Sequence, residues 1–172
     1  MKESTKNAIF TLVSAIFAGL VIVFLAVPNV SFGASIGSLG GSTESSGFDF
    51  YESGTDFMKA MLIITAIVAC AMVVVGILKF IVDLGKLKSL STITTLLFKI
   101  LAIALFVSAL MYMISVIVMC NDNSFSSDLF GATFGAGLKP VYWSIILMPV
   151  FGLFSAGCAF ATSITSKKKK RK

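Results

Sequence analysis

The sequence contains no histidine, and the other side chains that bind metals or attack substrates are few and scattered. Its three cysteines, Cys70, Cys120 and Cys158, fall in or at the ends of three different apolar runs. They match no zinc spacing and build no disulfide framework. We expect them to be small apolar side chains in helix packing, with Cys120 alone reachable by water. No metal ion and no cofactor is predicted.

Patterns of catalytic residues are also missing. Membrane enzymes bring His, Asp, Glu or Cys together at one depth, because proton transfer and covalent attack need these groups within reach of each other. No acid lies deep inside an apolar run of this chain, and its glycine-rich stretches lack the flanking strand and helix of a nucleotide site. The sequence therefore predicts a protein that is not an enzyme.

Charge is scarce, at 13% of residues against about a quarter in soluble domains, whereas 57% of residues are hydrophobic. Four apolar runs are long enough to cross about 30 Å of hydrocarbon at about 1.5 Å per residue. They predict helices over about residues 8–27, 57–84, 92–119 and 141–164. We therefore expect an all-α integral membrane protein, a four-transmembrane-helix bundle in which residues 1–172 form a single membrane domain.

The first run has two interpretations. Its cationic start and the small residues at 31–34 are typical of a cleaved signal peptide. Its twenty uncharged residues, however, exceed the usual apolar core of such a peptide, which favours a retained first helix. The sequence does not decide whether residues 1–34 are removed.

The distribution of charge predicts the orientation. With both termini in the cytoplasm, the inner side carries twelve of the fourteen cations against Glu3 and Asp83. The outer side then carries Lys59 and Lys139 against six acids. This asymmetry follows the positive-inside rule, so we place both termini inside and the loops 29–55 and 121–139 outside.

The outer loops differ from the helices in composition. The first part of loop 29–55 is rich in serine and glycine, which is typical of a flexible linker. Its second part contains aromatic residues that are typical of a membrane interface, namely Phe48, Phe50 and Tyr51, and Phe57 follows just after the loop. The tripeptide Phe-Gly-Ala begins at Phe32, Phe130 and Phe134, in both loops. Either the two loops pack on each other, or the repeat is a coincidence of simple composition.

One ionisable residue, Lys99, is expected inside a span. It either extends its ammonium group to cytoplasmic water, or pairs with Asp83 or an anionic solute or headgroup. Lys79 lies four residues before Asp83 and shares its helix face. Together Lys99, Asp83 and Lys79 form a candidate intramembrane charge site.

Two further groups have predicted roles. Small residues favour close helix packing on the fourth helix, at Gly152, Ala156 and Gly157. The chain ends in a basic tail, which predicts an anchor to anionic lipid headgroups. The tail consists of Lys167, Lys168, Lys169, Lys170, Arg171 and Lys172. The ending also looks like a dilysine retrieval signal, which matters only in a eukaryotic cell. The excess of lysine over arginine favours a bacterial plasma membrane.

The layout of four spans, a long first and a shorter second outer loop, and a basic tail is similar in outline to claudin-type tetraspan proteins. That family's tryptophan and paired cysteines in the first outer loop have no counterpart in residues 29–55. The resemblance therefore implies no site and no activity.

These features favour a structural or accessory component of a membrane assembly, with lipids and other membrane proteins or further copies of itself as partners, and no nucleic acid. The alternative is a small oligomeric channel or transporter for a small solute. A pore needs a polar stripe, and the candidates for one are few: Thr65, Lys99, Ser108, Tyr112, Ser115 and Ser155. A lipid-binding or stress-response protein is a third interpretation that the sequence does not separate.

Overall fold

Four long helices make up most of the protein, and its computed structural model describes residues 3–36, 39–49, 51–85, 88–129 and 132–167. Side chains are described for residues 5–35, 40–49, 51–84, 91–124 and 135–162. The helices are α1 (Glu3–Ala26), α2 (Asp56–Gly85), α3 (Lys88–Asp122) and α4 (Tyr142–Lys167). Each contains a stretch long and apolar enough to cross a membrane, which confirms the expectation of a mostly helical protein with four such helices.

The helices pack as a square, in which α1 contacts α2 and α4, and α3 contacts the same two helices. Side chains that face the centre form one apolar core, which includes Phe98, Leu105, Met72 and Ile145. Large apolar side chains also cover the outside of the bundle. Helices that are apolar on all sides are typical of proteins that are surrounded by lipid.

A four-stranded antiparallel sheet joins the two long connections at one end of the bundle. Its strands are β1 (Pro28–Ile36), β2 (Leu39–Ser46), β3 (Ser124–Leu129) and β4 (Ala132–Pro140), in the order β2-β1-β4-β3. Each connection forms one hairpin, and β1 pairs with β4 across the middle. We call this the sheet end of the bundle, and the end where α2 finishes and α3 begins the far end.

The central strand pair contains one Phe-Gly-Ala segment from each connection, residues 32–34 and 134–136, which overlap in register at Ala34 and Ala136. Gly33 lies opposite Gly137, Ala34 opposite Ala136, and Phe32 opposite Leu138. Of the two interpretations of this repeat, the packing of one loop on the other is the one that the structure shows.

The sheet corrects two expectations. The protein is not all-α, because the regions 28–46 and 124–140 contain strands, and the first part of loop 29–55 is not a flexible linker. Glycine and serine have low β propensity, so the local composition gave no sign of strands. The strands form because four segments from two distant connections supply backbone partners to each other.

An asparagine side chain closes the last turn of each helix that leads into the sheet. Asn29 Nδ2 donates to the carbonyls of Phe24 and Leu25 at 3.2 and 3.3 Å, and Asn123 Nδ2 donates to the carbonyl of Met119 at 2.9 Å. The last carbonyls of a helix have no partner in a following turn. These bonds therefore define where α1 and α3 end and the strands begin.

Candidate functional site

The described residues include no group of three or more His, Cys, Asp or Glu that could hold a metal ion. The three cysteines are free thiols, of which Cys70 is exposed and Cys158 half-buried. The expectation that Cys120 reaches water is wrong, since it is 1% exposed. It follows Tyr112 and Val116 at steps of four residues, which places all three on the inner face of α3.

Lys79 and Asp83 form a buried ion pair near the far end of α2. Lys79 Nζ lies 2.8 Å from Asp83 Oδ2, and the two side chains are only 3% and 8% exposed. They are four residues apart and so share one face of the helix, the face that also buries Val82. Charges at this degree of burial require a partner. The structure thus brings together two of the three residues of the predicted charge site.

Lys99, the third residue of that site, lies against an aromatic ring of the neighbouring helix. Its Nζ is 5.8 Å from the centroid of the Phe160 ring on α4, and the side chain is half-buried. A cation at this distance from an aromatic face is attracted to the ring electrons. Asp83 is therefore paired with Lys79, and Lys99 has a separate contact.

The two lysines lie at the same level of the bundle. Each is 23 residues from the sheet end of its helix, Lys79 from Asp56 on α2 and Lys99 from Asp122 on α3. At about 1.5 Å per residue, this separation is about 35 Å, slightly more than the thickness of a hydrocarbon core. Lys79 and Lys99 thus lie near the far end, about as distant from the sheet end as a hydrocarbon core is thick.

At the sheet end, a buried cluster of hydrogen bonds connects α1 to α4. Ser144 Oγ lies 2.5 Å from the carbonyl oxygen of Pro28, 2.9 Å from that of Val141 and 3.0 Å from Asn29 Oδ1. The Val141 N–H donates to the Asn29 carbonyl at 2.9 Å. Sequence reasoning missed this cluster. Its signals are an asparagine directly after a helix-stopping proline and a serine in the first turn of α4.

The side chain of Tyr112 on α3 lies inside the bundle near its sheet end. It is fully buried, and its hydroxyl faces Asn29 without reaching hydrogen-bond geometry to any group that the structure describes. The backbone at Gly47, directly after β2, passes so close that a Cβ atom there would overlap the Tyr112 hydroxyl. Glycine is therefore required at position 47 as long as Tyr112 keeps this position.

Apart from Tyr112, the buried polar side chains that the structure describes inside the bundle bond to other protein groups. Ser14 on α1 and Ser155 on α4 are fully buried, with their hydroxyl oxygens 3.0 Å apart. In the predicted pore stripe, the hydroxyls of Thr65, Ser108 and Ser115 donate to carbonyls of their own helices at 2.7, 3.1 and 2.7 Å. Their protons are thus used within the protein.

A shallow trough of about 620 Å³ follows one face of the sheet. Glycine and serine line most of it, including Ser31, Ser35 and Ser42, and Lys139 lies where β4 approaches α4. The strand register places Ser31 in one row between Glu44 and Lys139. Small-molecule pockets are usually deep and mostly apolar. This trough is open and offers hydroxyl and backbone groups, which suits contact with another macromolecule better.

The predicted packing residues of α4 differ in position. A Cβ at Gly152 would lie 3.1 Å from the Cα of Phe106, so α3 and α4 approach closely there. Ala156 packs against the core, whereas Gly157 is exposed and has open space around it. The basic tail and Phe50 lie outside the described residues, apart from the backbone of Lys167 at the end of α4.

A comparison of the chain with protein-family models, with curated protein sequences and with solved structures finds no match in any of the three. The outline likeness to claudin-type tetraspan proteins therefore stays a likeness of layout. The function of the chain has to be inferred from its own geometry.

Proposed function

We propose that the protein crosses a membrane four times, with both termini in the cytoplasm and the sheet on the outer side. Three features support this orientation. The helices are apolar on all sides, the far end carries Lys79 and Lys99 about one hydrocarbon thickness from the sheet, and most cations of the sequence fall on the proposed inner side. A bacterial plasma membrane is the proposed location.

Within that membrane, the protein acts as a non-enzymatic component of an assembly and presents the sheet as its contact surface. The main observation in support of this function is that both outer connections form one sheet, and that this sheet has an open trough lined by serine and glycine. The sheet is fixed to the bundle through Asn29, Ser144 and Val141, so its surface is held in one position. A preorganised surface lowers the cost of binding a partner.

The proposed partners are other membrane proteins or further copies of the chain, together with anionic lipid headgroups at the basic tail. No cofactor takes part. Among the described residues, no three acids or thiols are grouped as a metal site requires, which supports a role without metal chemistry.

Labelling with an impermeant thiol reagent tests the orientation. Ser42→Cys, in the exposed part of β2, should react in intact cells. Leu84→Cys, exposed at the far end of α2, should react only after permeabilisation. The parent chain with its native thiols provides the blank. The opposite result for the two variants would invert the orientation.

Site-specific photo-crosslinking tests the contact surface. A photoreactive amino acid at Ser42 points into the trough, whereas the same group at the adjacent Thr43 points to the other face of the strand. We expect a covalent product with one defined membrane protein, or with a second copy, from position 42 and not from position 43. Equal products from both positions, or none from either, would contradict an assembly role for the trough.

One observation favours the alternative of an oligomeric channel or transporter. Ion pairs buried in membrane helices often mark ion pathways, and Lys79 with Asp83 is such a pair. Ion or solute flux in vesicles that contain the purified protein measures this function directly. If the parent protein shows such a flux and a folded Asp83→Asn variant loses it, the channel or transporter becomes the better-supported function and the assembly component the weaker one.

A further inference from the structure

The two faces of the sheet have different chemistry. In an antiparallel sheet, residues that lie opposite each other point to the same face, and neighbours along a strand point to opposite faces. By this rule, Ser31, Glu44 and Lys139 share the trough face. Phe32 and Leu138 lie opposite each other on the other face, which we call the apolar face.

The apolar face begins on the helical bundle and continues beyond it. Val30 is 1% exposed in the core, and Leu138 packs against that core. Further along the same strands the cover ends. Phe32 is 52% exposed, and Ala34 and Ala136 are exposed as well. The bundle thus covers the apolar face where the strands meet the helices, and leaves this face exposed toward the tips of the hairpins.

The charges of the sheet are segregated in the same way. Among the described side chains of the four strands, the two charged residues, Glu44 and Lys139, both lie on the trough face. Where its side chains are described, the apolar face therefore offers no charged group to water or to a polar partner. Such segregation is typical of a surface that rests on lipid.

Exposed aromatic rings occur at the same end of the bundle. They flank the sheet in the chain, both in the segment after β2 and at the start of α4, and include Phe48, Tyr51, Tyr142 and Trp143. Aromatic side chains are enriched where a protein meets the headgroup region of a membrane. The position of Phe32 on the apolar face extends this aromatic zone from the helices onto the sheet.

We propose that the sheet lies on the outer membrane surface, with the Phe32 face in the headgroup region and the trough face directed away from the lipid. The lipid surface is the partner of the apolar face, and the trough remains open to other proteins. This inference rests on the proposed membrane insertion, so its test includes a control for insertion.

Tryptophan fluorescence provides the test, because the chain contains a single tryptophan. In a Trp143→Phe background, three variants each carry one reporter: Phe32→Trp on the apolar face, Ser42→Trp on the trough face and Ile67→Trp on the outside of α2, where Ile67 is 62% exposed. The proteins are reconstituted in vesicles of phosphatidylcholine with brominated acyl chains. Circular dichroism and gel filtration show that each variant is folded.

We expect Phe32→Trp to be quenched by bromine placed near the headgroup and to emit at shorter wavelength than Ser42→Trp. Ser42→Trp should be quenched by aqueous acrylamide instead, and Ile67→Trp by bromine placed deep in the chains. If Ile67→Trp is quenched but Phe32→Trp behaves as Ser42→Trp, the sheet does not lie on lipid. Blue-shifted Phe32→Trp emission without lipid quenching would mean that a protein surface covers this face, which also overturns the proposal. Failure of Ile67→Trp quenching would instead refute membrane insertion.

Discussion

The hydroxyl of Ser14 on α1 donates to the main-chain carbonyl of Ser155 on α4 at 2.7 Å, and the Ser155 hydroxyl donates back to the Ser14 carbonyl at 2.9 Å. Both side chains are fully buried. Each serine therefore satisfies a carbonyl on the opposite helix, at a point where no water is available. This reciprocal pair holds the first and last helices of the chain together.

Replacement of either serine should weaken the contact between α1 and α4. Hydrogen bonds between membrane helices contribute on the order of 0.6 to 2 kcal/mol, so we expect Ser14→Ala and Ser155→Ala each to lower stability by about this amount. The double variant should lose less than the sum, because the two residues share one network. Unfolding by a denaturing detergent in mixed micelles measures the effect.

Ser108→Ala is the matched control for that pair. The Ser108 hydroxyl donates to Leu105 in its own helix at 3.1 Å and makes no bond between helices that the structure describes. We expect it to be nearly silent. Additive effects of Ser14→Ala and Ser155→Ala would show that the two hydroxyls act independently.

The buried ion pair predicts asymmetric effects of neutralisation. Lys79→Met should be strongly destabilising, by about 3 to 5 kcal/mol, because it leaves the Asp83 carboxylate buried without a cation. Asp83→Asn in the same chain should restore much of this loss, since it removes the unpaired charge. The same unfolding assay reports both changes, and a lack of rescue would show that Lys79 is required for some other contact.

Lys99 should be much less sensitive. Lys99→Gln removes the contact with the Phe160 ring, and a cation–π contact at a partly exposed site contributes about 0.5 to 1 kcal/mol. We therefore expect a folded protein with at most this loss of stability. If the folded variant had instead lost a measurable transport activity, the channel would replace the assembly component as the better function.

Gly47 and Tyr112 predict a compensating pair. Gly47→Ala places a Cβ atom against the Tyr112 hydroxyl and within 2.9 Å of Leu62 Cδ1, so we expect a loss of about 1 to 3 kcal/mol from overpacking. Tyr112→Phe removes the hydroxyl and should recover part of this loss. Thermal unfolding in detergent compares the single and double variants.

Gly41→Ala serves as the control for Gly47, because a Cβ at Gly41 meets no atom within 4 Å. It should leave the unfolding temperature unchanged. An equal loss in both glycine variants would mean that chain flexibility, and not contact with Tyr112, decides the effect.

The helices could be predicted from the sequence because lipid-compatible runs of twenty or more residues leave few alternatives. The sheet could not. Its strands are rich in glycine and serine, and β1 finds its partner β4 only after two intervening helices. Such pairing depends on tertiary structure and leaves little local signal beyond the repeated Phe-Gly-Ala.

The charge site shows the same limit at the level of single residues. Spacing correctly placed Lys79 and Asp83 on one face of α2, but it did not decide between Lys79 and Lys99 as the partner of Asp83. Cys120 was misplaced for a related reason. Its distance along the chain from the helix end was known, whereas its direction around the helix depended on which neighbours α3 would have.

The central strand pair also constrains how the chain matures. Ser31 and Lys139 are neighbours in the sheet but 108 residues apart in the sequence. During synthesis from the N-terminus, the first hairpin is complete long before β4 exists, and until then β1 exposes a free edge that can pair with other chains. Closing so long a loop is slow relative to helix formation. The emergence of β4 therefore ends the interval in which a nascent copy is most open to aggregation, and a ribosome that stalls before residue 132 leaves that edge unprotected.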